Sequence, residues 1–352
     1  MKTVYVGMSG GVDSSVTAAL LQGQGYRVVG VYMQNWTQSV AGVDCPWKED
    51  LADAKAVAAQ LDIAFKVFDF QLQYKQKVVD YMVAEYQAGR TPNPDIMCNQ
   101  EIKFKLFLET ALADGADLIA TGHYAQAKDG RLYAGIDTAK DQSYFLYRVS
   151  SAALKKSLMP IGEYRKSHVR ALAKQFNLPT AAKPDSQGIC FVGEVGMEDF
   201  LRQYVAVSPG PIVDATGALI AEHKGAIFYT VGQRHGLGVG GGKPYYVLKK
   251  NMAENTLTVT DDPADLELST AEFEIENVHL IQPESIENQN YQIRTRYRGN
   301  LIAGRLVKTA NGYRVTMQHT DRAVTPGQSA VIYDGRRVVG GGIITAAVAG
   351  KV

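Results

Sequence analysis

No window of this chain holds the roughly 18 uninterrupted apolar residues of a membrane-crossing helix. The first residues read as a strand, where a signal peptide would need a basic stretch and an apolar run. These absences predict a cytoplasmic protein that does not associate with membranes. Cysteine is scarce: Cys45, Cys98 and Cys190 form neither a CxxC pair nor a zinc-ligand spacing. That argues against a disulfide scaffold, an iron–sulfur cluster and a tightly bound metal, and leaves catalytic or redox-active thiols open. Net charge is only +1, from 37 basic and 36 acidic residues, so no overall electrostatic drive toward nucleic acid is expected. What is present is 352 residues with 46% hydrophobic content, enough for two or three domains with sizeable cores.

The most informative local feature is Gly7-Met8-Ser9-Gly10-Gly11-Val12-Asp13-Ser14-Ser15, which joins an apolar strand, Thr3 to Met8, to a helical pattern, Ser14 to Gln24. Adjacent glycines let backbone N–H groups approach an anion, the serines add hydroxyl donors, and the helix start contributes unpaired N–H groups. Pyrophosphate fits such a nest. A Walker P-loop would carry Gly-Lys-Ser/Thr, and no lysine follows these glycines, which argues against a γ-phosphoryl kinase. The pattern Ser-Gly-Gly-x-Asp-Ser resembles the PP-loop of ATP pyrophosphatases, which cleave ATP between the α and β phosphates and leave an adenylated substrate. The alternative is a strand-to-helix turn that holds no ligand.

Apolar runs at Thr3 to Met8, Val28 to Met33, Ala64 to Phe68 and Leu118 to Thr121 alternate with helical patterns at Ser14 to Gln24, Leu51 to Gln60, Gln73 to Gln87 and Phe104 to Ala113. This predicts an α/β domain with a parallel sheet, whose ligands sit beyond the strand carboxyl ends. Met33, Gly122 and His123 fall at such ends beside the Gly-rich turn. His123 is also readable as a satisfied polar residue at a strand end. After a helix near Ser167 to Phe176, Gly and Pro punctuate short strands at Ala226 to Val231, Tyr245 to Leu248 and Thr256 to Thr260, then at Tyr291 to Tyr297, Ile302 to Val307, Tyr313 to Met317, Ser329 to Tyr333 and Val338 to Ile344. The last group is about the number expected of a small barrel. The expected division is a parallel-sheet nucleotide-binding domain over 1–200, a small β-rich domain over 201–268 and a C-terminal β-barrel over 269–352.

Charge is segregated along this second half. Nine acids and no Lys or Arg lie between Asp261 and Glu287; from Arg294 to Arg337 nine basic residues face two acids, a local +7. The basic stretch reads either as a phosphate-contacting surface or as a solvated face. Two cysteines sit in stiff segments. Gly89-Arg90-Thr91-Pro92-Asn93-Pro94-Asp95-Ile96-Met97-Cys98 precedes a helix, so Cys98 is expected near a helix N-terminus, where a thiolate is stabilised, with Asp95 as a proton carrier. A buried structural cysteine beside a turn aspartate is the other reading. Lys183-Pro184-Asp185-Ser186-Gln187-Gly188-Ile189-Cys190-Phe191 reads as a loop, and Cys45 as structural.

Taken together with Thr121-Gly122-His123-Tyr124, Lys140-Asp141-Gln142-Ser143-Tyr144, Tyr229-Thr230-Val231-Gly232-Gln233-Arg234 and Pro326-Gly327-Gln328, these segments resemble the bacterial tRNA-specific 2-thiouridylases almost end to end. The resemblance implies an adenine nucleotide alpha hydrolase-like fold in the first domain. It also implies thiolation at C2 of the wobble uridine of tRNAs for Lys, Glu and Gln, with ATP and Mg2+ and with a cysteine desulfurase or sulfur-relay protein as donor. By the same resemblance Gly7, Met8, Ser9, Gly10, Gly11, Val12, Asp13, Ser14, Met33 and Gly122 would hold ATP. Asn93, Pro94 and Asp95 would meet the target base; His123, Lys140, Asp141 and Gln142 would lie nearby; Tyr297, Arg298 and Gln328 would contact tRNA from the C-terminal domain, Tyr297 as a base stack. Cys190 would bear the persulfide, Cys98 would be its partner in a transient disulfide, and Asp95 would be acid or base. Two thiols suit this chemistry, because sulfur delivered from a persulfide, directly or as sulfide, leaves bonds that a second cysteine resolves. Rival readings are a tRNA lysidine synthetase or an argininosuccinate or GMP synthetase type ligase, which need no paired cysteines, an iron–sulfur tRNA thiolase, which uses a CxxC that is missing here, and a nucleotide-sensing or RNA-binding module without turnover.

Overall fold

The computed structural model describes residues 1–39, 42, 45–185, 196–240, 242–265, 268–322 and 324–348. Cys190 and the remainder of its segment from Ser186 lie outside them. The first apolar runs are strands: β1 (Thr3–Gly7), β2 (Arg27–Gln34), β3 (Ala64–Asp69) and β4 (Leu118–Ala120). The hairpin β5 (Ala125–Lys128) and β6 (Arg131–Ala134) and a short β7 (Ser157–Leu158) follow. The parallel sheet runs β3-β2-β1-β4-β7. Alternate residues of β1 and β2 feed two cores, Tyr5, Val29 and Val31 on one face and Val4, Val6 and Val28 on the other, which is why these strands read as unbroken apolar runs. Helices α1 (Val12–Gly23) and α2 (Trp47–Gln60) connect the first three strands.

The central domain is a four-stranded sheet of β8 (Gly210–Val213), β9 (Leu219–His223), β10 (Tyr246–Asn251) and β11 (Thr256–Thr260), ordered β10-β11-β8-β9. The strand expected at Ala226 to Val231 is instead a 3-10 turn over Ala226–Phe228. Its N–H groups go to side chains: Gly225 N donates to His223 Nδ1 at 2.9 Å and Ala226 N to Asn255 Oδ1 at 3.1 Å. The apolar residues Ala226, Ile227 and Tyr229 still enter the core.

The C-terminal barrel comprises β12 (Ser269–Leu280), β13 (Asn290–Arg294), β14 (Ile302–Lys308), β15 (Gly312–Arg322), β16 (Ser329–Asp334) and β17 (Arg337–Val348). It closes because β12 pairs with both β15 and β17. Three of the nine acids, Glu272, Glu274 and Glu276, lie on β12. Phe273 and Ile275 face the barrel core, while Glu272 and Glu274 meet Arg314 across the sheet at 3.4 and 3.0 Å, and Glu284, beyond the strand, pairs with Arg337 at 2.7 Å. Three of the nine acids are therefore paired with two arginines of the basic stretch.

First domain and barrel share one sheet edge and one core. β6 pairs with β17, extending the barrel sheet by the β5–β6 hairpin, and Tyr144, Leu146 and Tyr147 are in the same buried cluster as Val331 and Tyr333. Tyr144 Oη donates to Ser329 O at 2.9 Å, and Arg294 reaches Asp141 at 3.2 Å. Among the described residues no helix is long and apolar enough to cross a membrane.

Candidate active site

The Gly-rich turn lies at the carboxyl end of β1. Met8 N still bonds Val31 O on β2 at 2.8 Å, so the chain stays in the sheet until Ser9 and then reverses into α1. Gly10 takes φ +73° and packs so closely on α2 that an added Cβ would lie 2.4 Å from Asp50 O. Gly11 caps α1 without a side-chain bond, leaving the first-turn N–H groups directed out of the helix end. Ser14 Oγ donates to Gly11 O at 3.1 Å and lies 3.3 Å from the hydroxyl of exposed Ser9. Met33 and Gly122 converge on this turn: a Cβ on Gly7 would meet Met33 Cε at 2.9 Å, and one on Gly122 would meet Ser14 N at 2.8 Å. Strand-end residues of β1, β2 and β4 are thus brought together as the sequence implied.

Asp13, at the start of α1, accepts from Tyr124 Oη at 2.7 Å and from Lys166 Nζ at 2.8 Å on both oxygens. Neither partner was singled out from sequence. The signal for Lys166 was a cation in the first turn of its own helix, Lys166–Gln175, the unfavourable end of the helix dipole.

The helix carrying Cys98 starts at Pro94, with Asn93 before it, and widens into a π-type segment over Cys98–Leu106. Cys98 thus follows the first helical turn and is only 4% exposed, so the helix-end field expected to favour its thiolate is weaker there than at the turn itself. Asp95 occupies that first turn. Burial pushes its carboxyl up, opposed by the charge of Lys103. The side-chain oxygens of Asn93 and Asn99 are buried with no hydrogen-bond partner among the described residues, and such unfilled acceptors suit an incoming donor. The same helix connects this region to the nucleotide turn. Phe107 lies 3.6 Å from the Cβ position of Gly7, and the Phe104 ring is 5.7 Å from that of His123.

His123 is buried, its Nδ1 2.8 Å from Thr121 Oγ1, and burial, aided by Lys103, holds its pKa well below the ordinary value. Burial likewise lowers His223 and His279. A histidine depressed in the folded state stabilises it fully only above its unfolded pKa of about 6.5, and that contribution is lost as pH falls through the folded value. Melting temperature should therefore drop between pH 7.5 and 5.5, by less in His123→Gln than in the wild type. Equal drops, measured by scanning calorimetry, would refute this role for His123.

Lys140, Asp141, Arg294 and Arg298 line a cleft of about 510 Å³ where the first domain meets the barrel. Lys140 ion-pairs with Asp185 at 2.7 Å. Asp141 is buried, accepting from Ser143 N at 3.1 Å and Gly135 N at 3.0 Å besides Arg294. Gln142 Oε1 accepts from Tyr124 N at 3.0 Å, and Gln328 Nε2 donates to Thr91 O at 2.7 Å, tying the loop before Asn93 to the barrel. Tyr297 packs on Phe145 with centroids 4.3 Å apart and ring planes tilted by 45°, with the exposed Arg298 guanidinium 5.2 Å from its ring centroid. Half-buried Cys45 reaches Trp36 O at 3.7 Å, and burial raises its thiol. No group of three or more His, Cys, Asp or Glu among the described residues is placed to hold a metal ion.

Three family models match in sequence order: "tRNA methyl transferase HUP domain" over 2–194, "tRNA methyl transferase PRC-barrel domain" over 198–261 and "Aminomethyltransferase beta-barrel domain" over 270–344. Curated relatives carry a different chemical name. The tRNA-specific 2-thiouridylase MnmA of Pseudomonas paraeruginosa is 47% identical over 98% of this chain and 94% of its own length. Its counterpart in Stutzerimonas stutzeri is 47% identical over 97% and 94%. With that identity across nearly the full length of both chains, and a PP-type turn in place, this chain belongs to the tRNA-specific 2-thiouridylase family.

Proposed function

We propose that this protein is an ATP-dependent tRNA-uridine 2-sulfurtransferase acting on the wobble uridine of tRNAs for Lys, Glu and Gln. The observation that carries the nucleotide half is the convergence of Gly7, Gly10, Ser14, Met33 and Gly122 on one open helix start. ATP, entering with Mg2+, lies with its phosphates on Gly7 to Ser14 and its adenosine toward Met33 and Gly122. The uracil C2 oxygen attacks the α-phosphorus, the bond to the bridging oxygen breaks, and pyrophosphate leaves. Asp95, raised by burial into better range for proton transfer, takes the N3 proton, while Asn93 and Asn99 supply acceptors beside it.

Sulfur then displaces AMP. A persulfide on Cys190, loaded by a cysteine desulfurase or relay protein, either attacks C2 and is resolved by Cys98, or is cleaved by Cys98 to release sulfide that attacks C2. Either route ends in 2-thiouridine, AMP and a Cys98 to Cys190 disulfide that an external thiol must reduce. The tRNA enters by the cleft between first domain and barrel, with Lys140 and Arg298 toward phosphates and Tyr297 as a flat surface for an unstacked base; Asp141, Gln142 and Gln328 shape that cleft, and His123 is a neutral wall residue. The three-domain division at 200/201 and 268/269, and a cytoplasmic location, complete this reading.

The test is nucleotide product analysis with unmodified tRNA, a desulfurase and cysteine. AMP and pyrophosphate should appear only when tRNA is present. ATP consumption that ignores tRNA, or none at all, would overturn it.

A further inference from the structure

The nucleotide turn lacks the lysine that other phosphate loops place beside the leaving phosphates. Charge developing on a departing pyrophosphate nevertheless needs a cation. The fold brings three to one point. Lys166 Nζ lies 2.8 Å from Asp13 on the turn and 2.8 Å from Asp185; Arg170, one helical turn further along, reaches Asp185 at 2.5 Å; Lys140 reaches it from the cleft at 2.7 Å. The three cations meet the carboxylates of Asp13 and Asp185, and Asp137 accepts from the Lys166 backbone N–H at 2.8 Å. None of these side chains is fully buried, Lys166 being 14% and Asp185 31% exposed, so an anion from solvent has access.

We propose that Lys166, supported by Arg170 and Lys140, is the receiving site for the β,γ-pyrophosphate of ATP, and that Asp185 fills this site as an internal anion when no nucleotide is bound. This rests on the proposed ATP chemistry and adds to it the residues that take the leaving group. Lys166 is placed for the task, because it already touches the side chain of a residue in the first turn of α1, whose N–H groups form the rest of the nest. A pyrophosphate carries more charge than one carboxylate and outcompetes Asp185 for the same three cations. The ionised state of Asp185 fits the role: burial alone would raise its carboxyl, but hydrogen bonds and charge from Lys140, Lys166 and Arg170 hold it well below the ordinary carboxylate range.

The experiment is calorimetric titration of the full chain with inorganic pyrophosphate, a non-hydrolysable ATP analogue and AMP. Lys166→Ala should weaken pyrophosphate and the analogue at least tenfold and change AMP less than twofold, with Lys166→Arg restoring most of the loss. Asp185→Asn should tighten pyrophosphate severalfold, a gain that a merely structural ion pair would not produce and a readout that survives if Lys166→Ala fails to fold. Unchanged pyrophosphate binding in Lys166→Ala, equal weakening of AMP, or no gain in Asp185→Asn would each overturn the proposal. A wild-type chain that binds neither the analogue nor pyrophosphate would overturn the ATP reading itself, a result separable from these.

Discussion

Cys98→Ser should abolish 2-thiouridine, lowering its formation by on the order of a thousandfold or more, without abolishing activation of the tRNA. Serine is nearly isosteric, so a site only 4% exposed should tolerate it, but a hydroxyl neither cleaves a persulfide nor resolves a mixed disulfide. In a single-turnover experiment the variant should still release a burst of about one pyrophosphate per protein. Nucleoside mass analysis checks the first expectation and pyrophosphate release the second. Near-normal 2-thiouridine from Cys98→Ser would remove Cys98 from the sulfur-transfer step. Loss of the pyrophosphate burst with the fold intact would move Cys98 from sulfur transfer to nucleotide activation.

Gly10→Ala should have the next largest effect, through ATP. Gly10 is at φ +73°, a conformation costing an L-residue roughly 1–2 kcal/mol, and its Cβ would sit 2.4 Å from Asp50 O and 2.8 Å from Asp50 Cα, both backbone atoms of α2. The turn cannot keep its shape without moving a helix. KM for ATP should rise by about tenfold or more, equivalent to about 1.4 kcal/mol. Gly25→Ala separates conformational cost from site distortion: Gly25 is also at positive φ, +84°, but its Cβ meets nothing within 4 Å. That variant should lose some stability and keep its KM. An unchanged KM in Gly10→Ala would remove the Gly-rich turn from the nucleotide site.

Features encoded locally were legible in the sequence. β1, β2 and β4 were readable because they are largely buried and the chain has no polar alternation there, and the nucleotide turn because its glycines and serines are contiguous. β12 was hidden by its own charge. Its acids alternate with Phe273 and Ile275 in a strand period, yet a stretch with nine acids and no Lys or Arg between Asp261 and Glu287 draws attention to electrostatics rather than to pairing. The β5–β6 hairpin, turning at Asp129 and Gly130 with φ of 52° and 74°, is too short to stand out, although it joins the first domain to the barrel. Ala226 to Val231 misled because side chains cap the N–H groups at its start, His223 from just before it and Asn255 from 29 residues further along. Lys166 illustrates the wider limit: its meaning comes from Asp13 and Asp185, far from it along the chain, and no local pattern encodes that meeting. Likewise the burial of Asp141 between Ser143 and Arg294 depends on a barrel strand.

The pairing of two cysteines is the claim on which the sulfur chemistry stands. Protein preloaded with persulfide, given tRNA and ATP for one turnover without external thiol, should be alkylated, digested without reduction and mapped by mass spectrometry. A Cys98–Cys190 disulfide peptide should form in step with 2-thiouridine. Thiolated tRNA accompanied by Cys98 recovered wholly in its alkylated form would contradict it.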